Sequence, residues 1–112
     1  MKNIEEQAEI FGVLSDPTRL KLLKLLCLQP ETGALCVNAL ANVLKISQPA
    51  VSQHLKLLRS VGLVTGQRRG NLVHYHVNTA NVACYRELLL TSLSVADAPK
   101  PQACEECKEG KR

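Results

Sequence analysis

The sequence predicts a mainly α-helical domain with one late β-hairpin, in the order helix, helix, helix, helix, hairpin, helix. Three observations carry this. Apolar residues recur at helical spacing through most of the chain up to Ser60. The two strand-like runs, Leu63–Gln67 and Leu72–Val77, are short, come late and flank the turn signal Arg68-Arg69-Gly70-Asn71. Helix start and stop residues fall between the periodic segments. A doubly wound sheet, which needs strands throughout, is excluded.

Each element has its own warrant. Residues 3–14 place Ile4, Ala8, Phe11 and Leu14 or Val13 on one helical stripe. Asp16 can cap a second helix, with Pro17 suited to its first position. That helix runs through Leu20, Leu22, Leu23, Leu25 and Leu26, is apolar nearly all round except for Arg19, Lys21 and Lys24, and should be central. Leu35–Leu44 fits a short third helix. Ser47 caps a fourth, with Pro49 tolerated in its first turn. Its buried stripe is Val51, Leu55 and Leu58, and Gly62 ends it. The hairpin follows, and a last helix is expected over Thr79–Val95. Residues 1–96 read as one domain. Residues 97–112, with the linker Ala98-Pro-Lys-Pro-Gln-Ala103, read as a flexible cysteine-containing tail that a ligand would order.

The 112 residues suit one compact domain, 46% hydrophobic but only 3% aromatic, so Leu, Val, Ile and Ala must build its core. Such a small core would gain from dimerisation. The net charge of +4 lies wholly in residues 1–96, which hold ten Lys/Arg against six Asp/Glu; residues 97–112 hold four of each. The excess suits an anionic partner. No apolar run reaches transmembrane length, and the first residues lack the pattern of a signal peptide. A cytoplasmic protein is expected, with its five cysteines serving as thiols or metal ligands rather than disulfides.

The fourth helix and the hairpin carry the functional signal. Gln48, Ser52, Gln53, Lys56 and Arg59 lie opposite the apolar stripe, and Ser47 stands at the helix start. A glutamine can bridge two atoms of an adenine edge; a serine can donate or accept. Lys56 and Arg59 suit phosphates, which position a protein without specifying sequence. No Asp or Glu occurs from Ile46 to Gly70. At the hairpin tip, Arg68 and Arg69 can reach a backbone or a narrow minor groove. The alternatives are a merely solvated helix face and a merely solubilising turn. Together the parts match a winged helix-turn-helix that holds double-stranded DNA. His54 is expected to be a partly buried hydrogen bonder beside core Leu55. His74 and His76 should share one strand face and Tyr75 the other; no metal role is assigned to them. No paired acids, nucleophile elbow or phosphate loop point to an enzyme, and a Cys-x-x-Cys in a polar tail is misplaced for a thiol–disulfide active site. A protein-interaction module would want an apolar patch on the fourth helix, where the face is polar and basic.

The segments Leu14-Ser-Asp-Pro-Thr-Arg-Leu20, Leu35-Cys-Val37, Ser47-Gln-Pro-Ala-Val-Ser-Gln-His-Leu55, Arg59-Ser-Val-Gly-Leu-Val64 and Gly70-Asn-Leu-Val-His-Tyr-His-Val77 resemble the ArsR/SmtB family of metal- and thiol-responsive repressors. The resemblance implies a winged-helix homodimer joined through the first and last helices. It also implies an operator of two-fold symmetry and release by an inducer. Arsenite repressors of that family carry Cys-Val-Cys-x-x-Cys on the third helix; here Cys36-Val-Asn-Ala-Leu-Ala41 keeps only the first sulfur. Family zinc sensors use Asp, His and Glu on the last helix; residues 78–94 offer only Glu87.

Cys84, Cys104 and Cys107 remain as a candidate three-thiol set, a kind of site the resemblance allows. Soft thiolates favour trivalent arsenic, and also antimony, cadmium, lead or zinc. Residues 96–103 span up to ~26 Å when extended, and Cys84 lies ~16 Å down the helix from Val95, so the tail can reach Cys84 of its own chain or of a partner. Reversible thiol oxidation or persulfide sensing is the alternative. Cys27 reads most simply as core, and Cys36 as core or a further ligand.

Overall fold

The computed structural model describes residues 3–29 and 35–95. Helix α1, Ile4–Leu14, opens with a capping box. The Glu6 N–H donates to Asn3 Oδ1 at 2.7 Å, and the Asn3 N–H donates to Glu6 Oε1 at 3.2 Å. Helix α2, Pro17–Cys27, starts as expected: Pro17 opens it and the Asp16 carboxylate accepts the Arg19 N–H at 3.0 Å. Its Leu22 and Leu26 are fully buried at the centre of the core.

The third segment departs from expectation. Leu35 and Cys36 are not helical; they form strand β1, and helix α3 covers Val37–Leu44. Strand β1 pairs antiparallel with the last strand, Leu35 opposite Tyr75 and Cys36 opposite His74. The ladder gives the backbone of Leu35 and Cys36 partners that a helix start would leave free. One strand therefore comes early, and the sheet has three strands rather than two.

Helix α4, Gln48–Ser60, follows a tight turn in which Lys45 takes the left-handed conformation (φ 58°). Ser47 Oγ accepts the Ala50 N–H at 3.2 Å, and Val51, Leu55 and Leu58 are buried as the spacing predicts. Gly62 (φ +78°) closes α4 in a Schellman motif: its N–H reaches Arg59 O, and the Leu63 N–H reaches Leu58 O. A side chain at Gly62 is excluded twice, by that φ and by Asn81 Nδ2, which would lie 2.8 Å from its Cβ.

Strands β2, Val64–Arg69, and β3, Leu72–Val77, pair antiparallel from Val64–Val77 to Arg69–Leu72, and the sheet order is β1-β3-β2. The turn is thus the two residues Gly70 and Asn71, not the four expected. Gly70 alone takes positive φ (+65°), as in a type II′ turn. Arg68 and Arg69 belong to the strand. Helix α5, Thr79–Ser92, is capped by Asn78 and ends three residues short of the expected Val95.

The core is aliphatic apart from Tyr75, and no polar or charged residue is buried among the described residues. Two burial expectations fail. On α1 the chain buries Ile10 and Val13, while Ile4, Ala8 and Phe11 stay exposed. The helix carries two apolar stripes, and this chain covers one. Cys27 is exposed rather than core, because α2 turns Leu22 and Leu26 inward and Cys27, one position after Leu26, falls on the solvent side. Neighbouring chain still desolvates its sulfur enough to raise its pKa.

Candidate nucleic-acid interface

Helices α3 and α4 form the helix-turn-helix, and the β2–β3 hairpin stands beside it as a wing. Ser47, Gln48, Ser52, Gln53, Lys56, Arg59, Arg68 and Arg69 are all exposed. They are not equivalent. With Val51, Leu55 and Leu58 inward, the helical period turns Gln53 and Lys56 outward and Gln48, Ser52 and Arg59 toward the wing. A groove of 470 Å³ runs there, floored by Val73 and Tyr75 and lined by Gln48, Ser52, Asn38 and Asn71. Ser47 is committed as the cap through its oxygen lone pair and keeps its O–H to donate. Arg68 and Arg69 are adjacent strand residues, so they project from opposite faces of the wing.

Asn38 and Asn71 add neutral hydrogen bonders that the sequence reading did not select. Asn38 opens a short helix and Asn71 completes a turn, and only the fold brings them to one groove. Arg19, a polar exception on the apolar α2, carries no local sequence signal for what it meets. Its Nε–H donates to Val13 O at 2.5 Å, and Nη1 lies 3.4 Å from Nδ1 of His54 on α4. His54 is half-buried and hydrogen-bonded, as expected, with Asp16 Oδ2 3.9 Å away. The Arg19 backbone N–H above all holds the Asp16 carboxyl below its ordinary pKa; desolvation, the next largest effect, opposes it, and the positive charge of Arg19 adds a smaller lowering.

The apolar surface lies on the other side. Helices α1 and α5 meet where the Ser92 hydroxyl at the end of α5 donates to Gln7 Oε1 at 3.0 Å. Between them and α2 opens an apolar cleft of 350 Å³ lined by Phe11, Leu14, Leu23, Val82 and Leu89 among others. Only Leu88 of α5 is buried; Leu90 and the capping Leu93 are 61% and 71% exposed. Two side chains tie α5 to the end of α4. Asn81 Nδ2 donates to Gly62 O at 2.8 Å, and the Tyr85 hydroxyl donates to Val61 O at 2.6 Å.

Of the thiols, Cys84 is exposed on α5 and Cys36 is half-buried in β1. Cys104 and Cys107 lie outside the described residues, as do the linker and tail. Among the described residues no three His, Cys, Asp or Glu side chains gather to hold a metal ion. Tyr75 is buried on the core face of β3. On the other face, His76 Nε2 shares a 2.8 Å hydrogen bond with Thr65 Oγ1, and His74 Nδ1 is buried with no partner among the described residues. No helix of the described residues is long and apolar enough to cross a membrane.

A polar, acid-free helix on a helix-turn-helix, flanked by a basic wing, defines a winged-helix DNA-binding domain. The profile of the family described as bacterial regulatory protein, arsR family, matches residues 16–65. An uncharacterized HTH-type transcriptional regulator of Methanocaldococcus jannaschii is 40% identical over 77 residues, covering 69% of this chain and 83% of that protein. The arsenical resistance operon repressor of Escherichia coli is 43% identical over 70 residues, covering 62% of this chain but only 57% of the repressor. The homodimeric winged helix-turn-helix domain of a possible ArsR-family regulator from Mycobacterium bovis superposes with a TM-score of 0.63 at 26% identity, covering 80% of each chain. The chain belongs to the ArsR family of DNA-binding transcriptional regulators.

Proposed function

We propose that this ArsR-family chain is a homodimeric repressor. It reads a two-fold-symmetric operator and is released by a thiophilic inducer, trivalent arsenic first among the candidates. The observation that carries the DNA reading is the outward pair Gln53 and Lys56 on an acid-free α4, with Arg68 and Arg69 on the adjoining wing. Gln53 meets base edges in the major groove. Lys56 and the wing arginines meet phosphates, and Gln48, Ser52, Asn38 and Asn71 follow the strand between them.

Exposed Phe11, Leu90 and Leu93 on α1 and α5 supply the dimer face, and the Mycobacterium bovis domain is a homodimer. The arsenical role of the Escherichia coli relative and the exposed thiol of Cys84 support the inducer. Cys104 and Cys107 complete the three sulfurs that pyramidal arsenic requires. Inducer binding at α5 would shift the population toward a dimer whose two reading helices are wrongly spaced, and DNA would weaken inducer binding by the same factor.

The test is fluorescence anisotropy of the reduced full chain on a labelled duplex from its own promoter, titrated with arsenite. Salt-sensitive binding released by near-stoichiometric arsenite, with Cys84→Ser binding DNA but resisting release, is the expected result. Binding indifferent to arsenite removes arsenic and leaves cadmium, lead, zinc or a thiol oxidant. Normal release of the Cys84→Ser protein removes Cys84 from the site.

A further inference from the structure

We infer that Arg19 and His54 are positioning residues for DNA reading, a clamp that fixes the rotation of α4 relative to the dimer helix α1. The inference rests on the DNA reading proposed above.

The guanidinium of Arg19 is held at both ends. Nε donates to the Val13 carbonyl in the last turn of α1, and Nη1 lies 3.4 Å from His54 Nδ1 near the middle of α4. The Val13 carbonyl is among those that the end of a helix leaves without a partner inside it, and a cation there is favoured. Arginine has no acceptor, so the His54 contact needs Nδ1 as acceptor and the ring proton on Nε2. Asp16 fixes the start of α2 that carries Arg19: its Oδ2 accepts the Arg19 backbone N–H at 3.0 Å. Arg19, His54 and Asp16 are all half-buried.

Position on α4 makes the clamp directional. His54 stands between Gln53, which faces out, and Leu55, which is 1% exposed. It occupies the flank facing α2, whereas Ser52 and Arg59 occupy the flank facing the wing. Rotation of α4 about its own axis would carry His54 away from a guanidinium anchored to α1, and Gln53 would turn by the same angle. In a dimer joined through α1 and α5, that angle sets the separation of the two reading faces. The planar fork of arginine holds two acceptors at a fixed mutual geometry; a lysine ammonium is a single point on a flexible stem.

The experiment uses the full-length chain and a duplex that the wild-type protein selects from a random library. Two companion duplexes have the half-site separation changed by one base pair in either direction. Arg19→Lys and His54→Leu should each bind the selected duplex about tenfold more weakly, the size of one lost charge-assisted hydrogen bond. They should bind an unselected duplex as before, and their preference among the three spacings should flatten. His54→Asn, whose Oδ1 replaces Nδ1, should restore both affinity and spacing preference. Circular dichroism melting and sedimentation identify the variants that keep fold and assembly.

Equal weakening on every duplex, or wild-type spacing preference in both Arg19→Lys and His54→Leu, overturns the clamp. So does failure of His54→Asn to rescue. If the wild-type chain selects no sequence, the DNA reading itself fails and the clamp falls with it.

Discussion

Helices α4 and α5 are nearly the same length and are satisfied in opposite ways. Helix α4 buries a continuous stripe, Val51, Leu55 and Leu58, and is closed by Ser47 at one end and Gly62 at the other. What it leaves in water is polar or cationic apart from Leu57 and Pro49. Helix α5 buries Leu88 alone and leaves Leu89, Leu90 and the capping Leu93 in water. The first helix is completed by its own chain and presents hydrogen bonders outward. The second is incomplete, and what it presents is hydrophobic. An exposed polar face on a finished helix recognises a polar partner; an exposed apolar face on an unfinished one asks for another protein surface.

Substitutions can break this contrast. Leu55→Ala removes a buried side chain from α4 and should cost about 2–5 kcal/mol of folding stability. Chemical denaturation would measure it, and a loss below half a kcal/mol would show that α4 is not held by its stripe. Leu89→Glu places a charge on the α5 face and should weaken dimerisation about a hundredfold. Sedimentation velocity over a dilution series checks this; an unchanged profile would move the interface elsewhere. Gln53→Ala changes only the outward face of α4. It should weaken selected DNA about five- to thirtyfold, the value of one bidentate base contact, with melting unaltered; unchanged affinity would discard the major-groove assignment.

The smallest effect concerns Asp16, which caps α2. Its folded-state pKa is lowered, so the unfolded chain binds the proton more tightly than the folded one. The carboxylate therefore adds stability above its ordinary pKa and loses that contribution as pH falls through the lower folded value. Asp16→Asn keeps a capping oxygen but cannot titrate. Thermal melts between neutral pH and about pH 3 should fall less steeply for Asp16→Asn than for wild type. Parallel curves would show that the cap contributes nothing to acid sensitivity.

Local signals made much of this legible. Asp16, Ser47 and Gly62 mark helix ends through hydrogen bonds within a few residues, and Val51, Leu55 and Leu58 are one period apart. What escaped was set by distant parts of the chain. Strand β1 is two residues long and exists because Tyr75 and His74 arrive beside it. On α1, sequence could not choose between two apolar stripes, because the choice depends on which face α2 and α4 cover. Gly70-Asn71 marks a reversal without fixing how far the ladder runs, so sequence alone puts Arg68 and Arg69 in the turn while the ladder extends through both. The clamp joins residues 35 apart. Helical periodicity says which side chains share a face, never which side chain will meet them from another element.

The pair of hydrogen bonds from Asn81 and Tyr85 to the carbonyls of Gly62 and Val61 turns α5 into a lever. Its fulcrum is the closing turn of the reading helix, and Cys84 sits one residue from the Tyr85 contact. Both bonds bypass the wing, so α5 reaches the end of α4 without passing through the strands between them. The two bonds couple a roll of α5 to the end of α4.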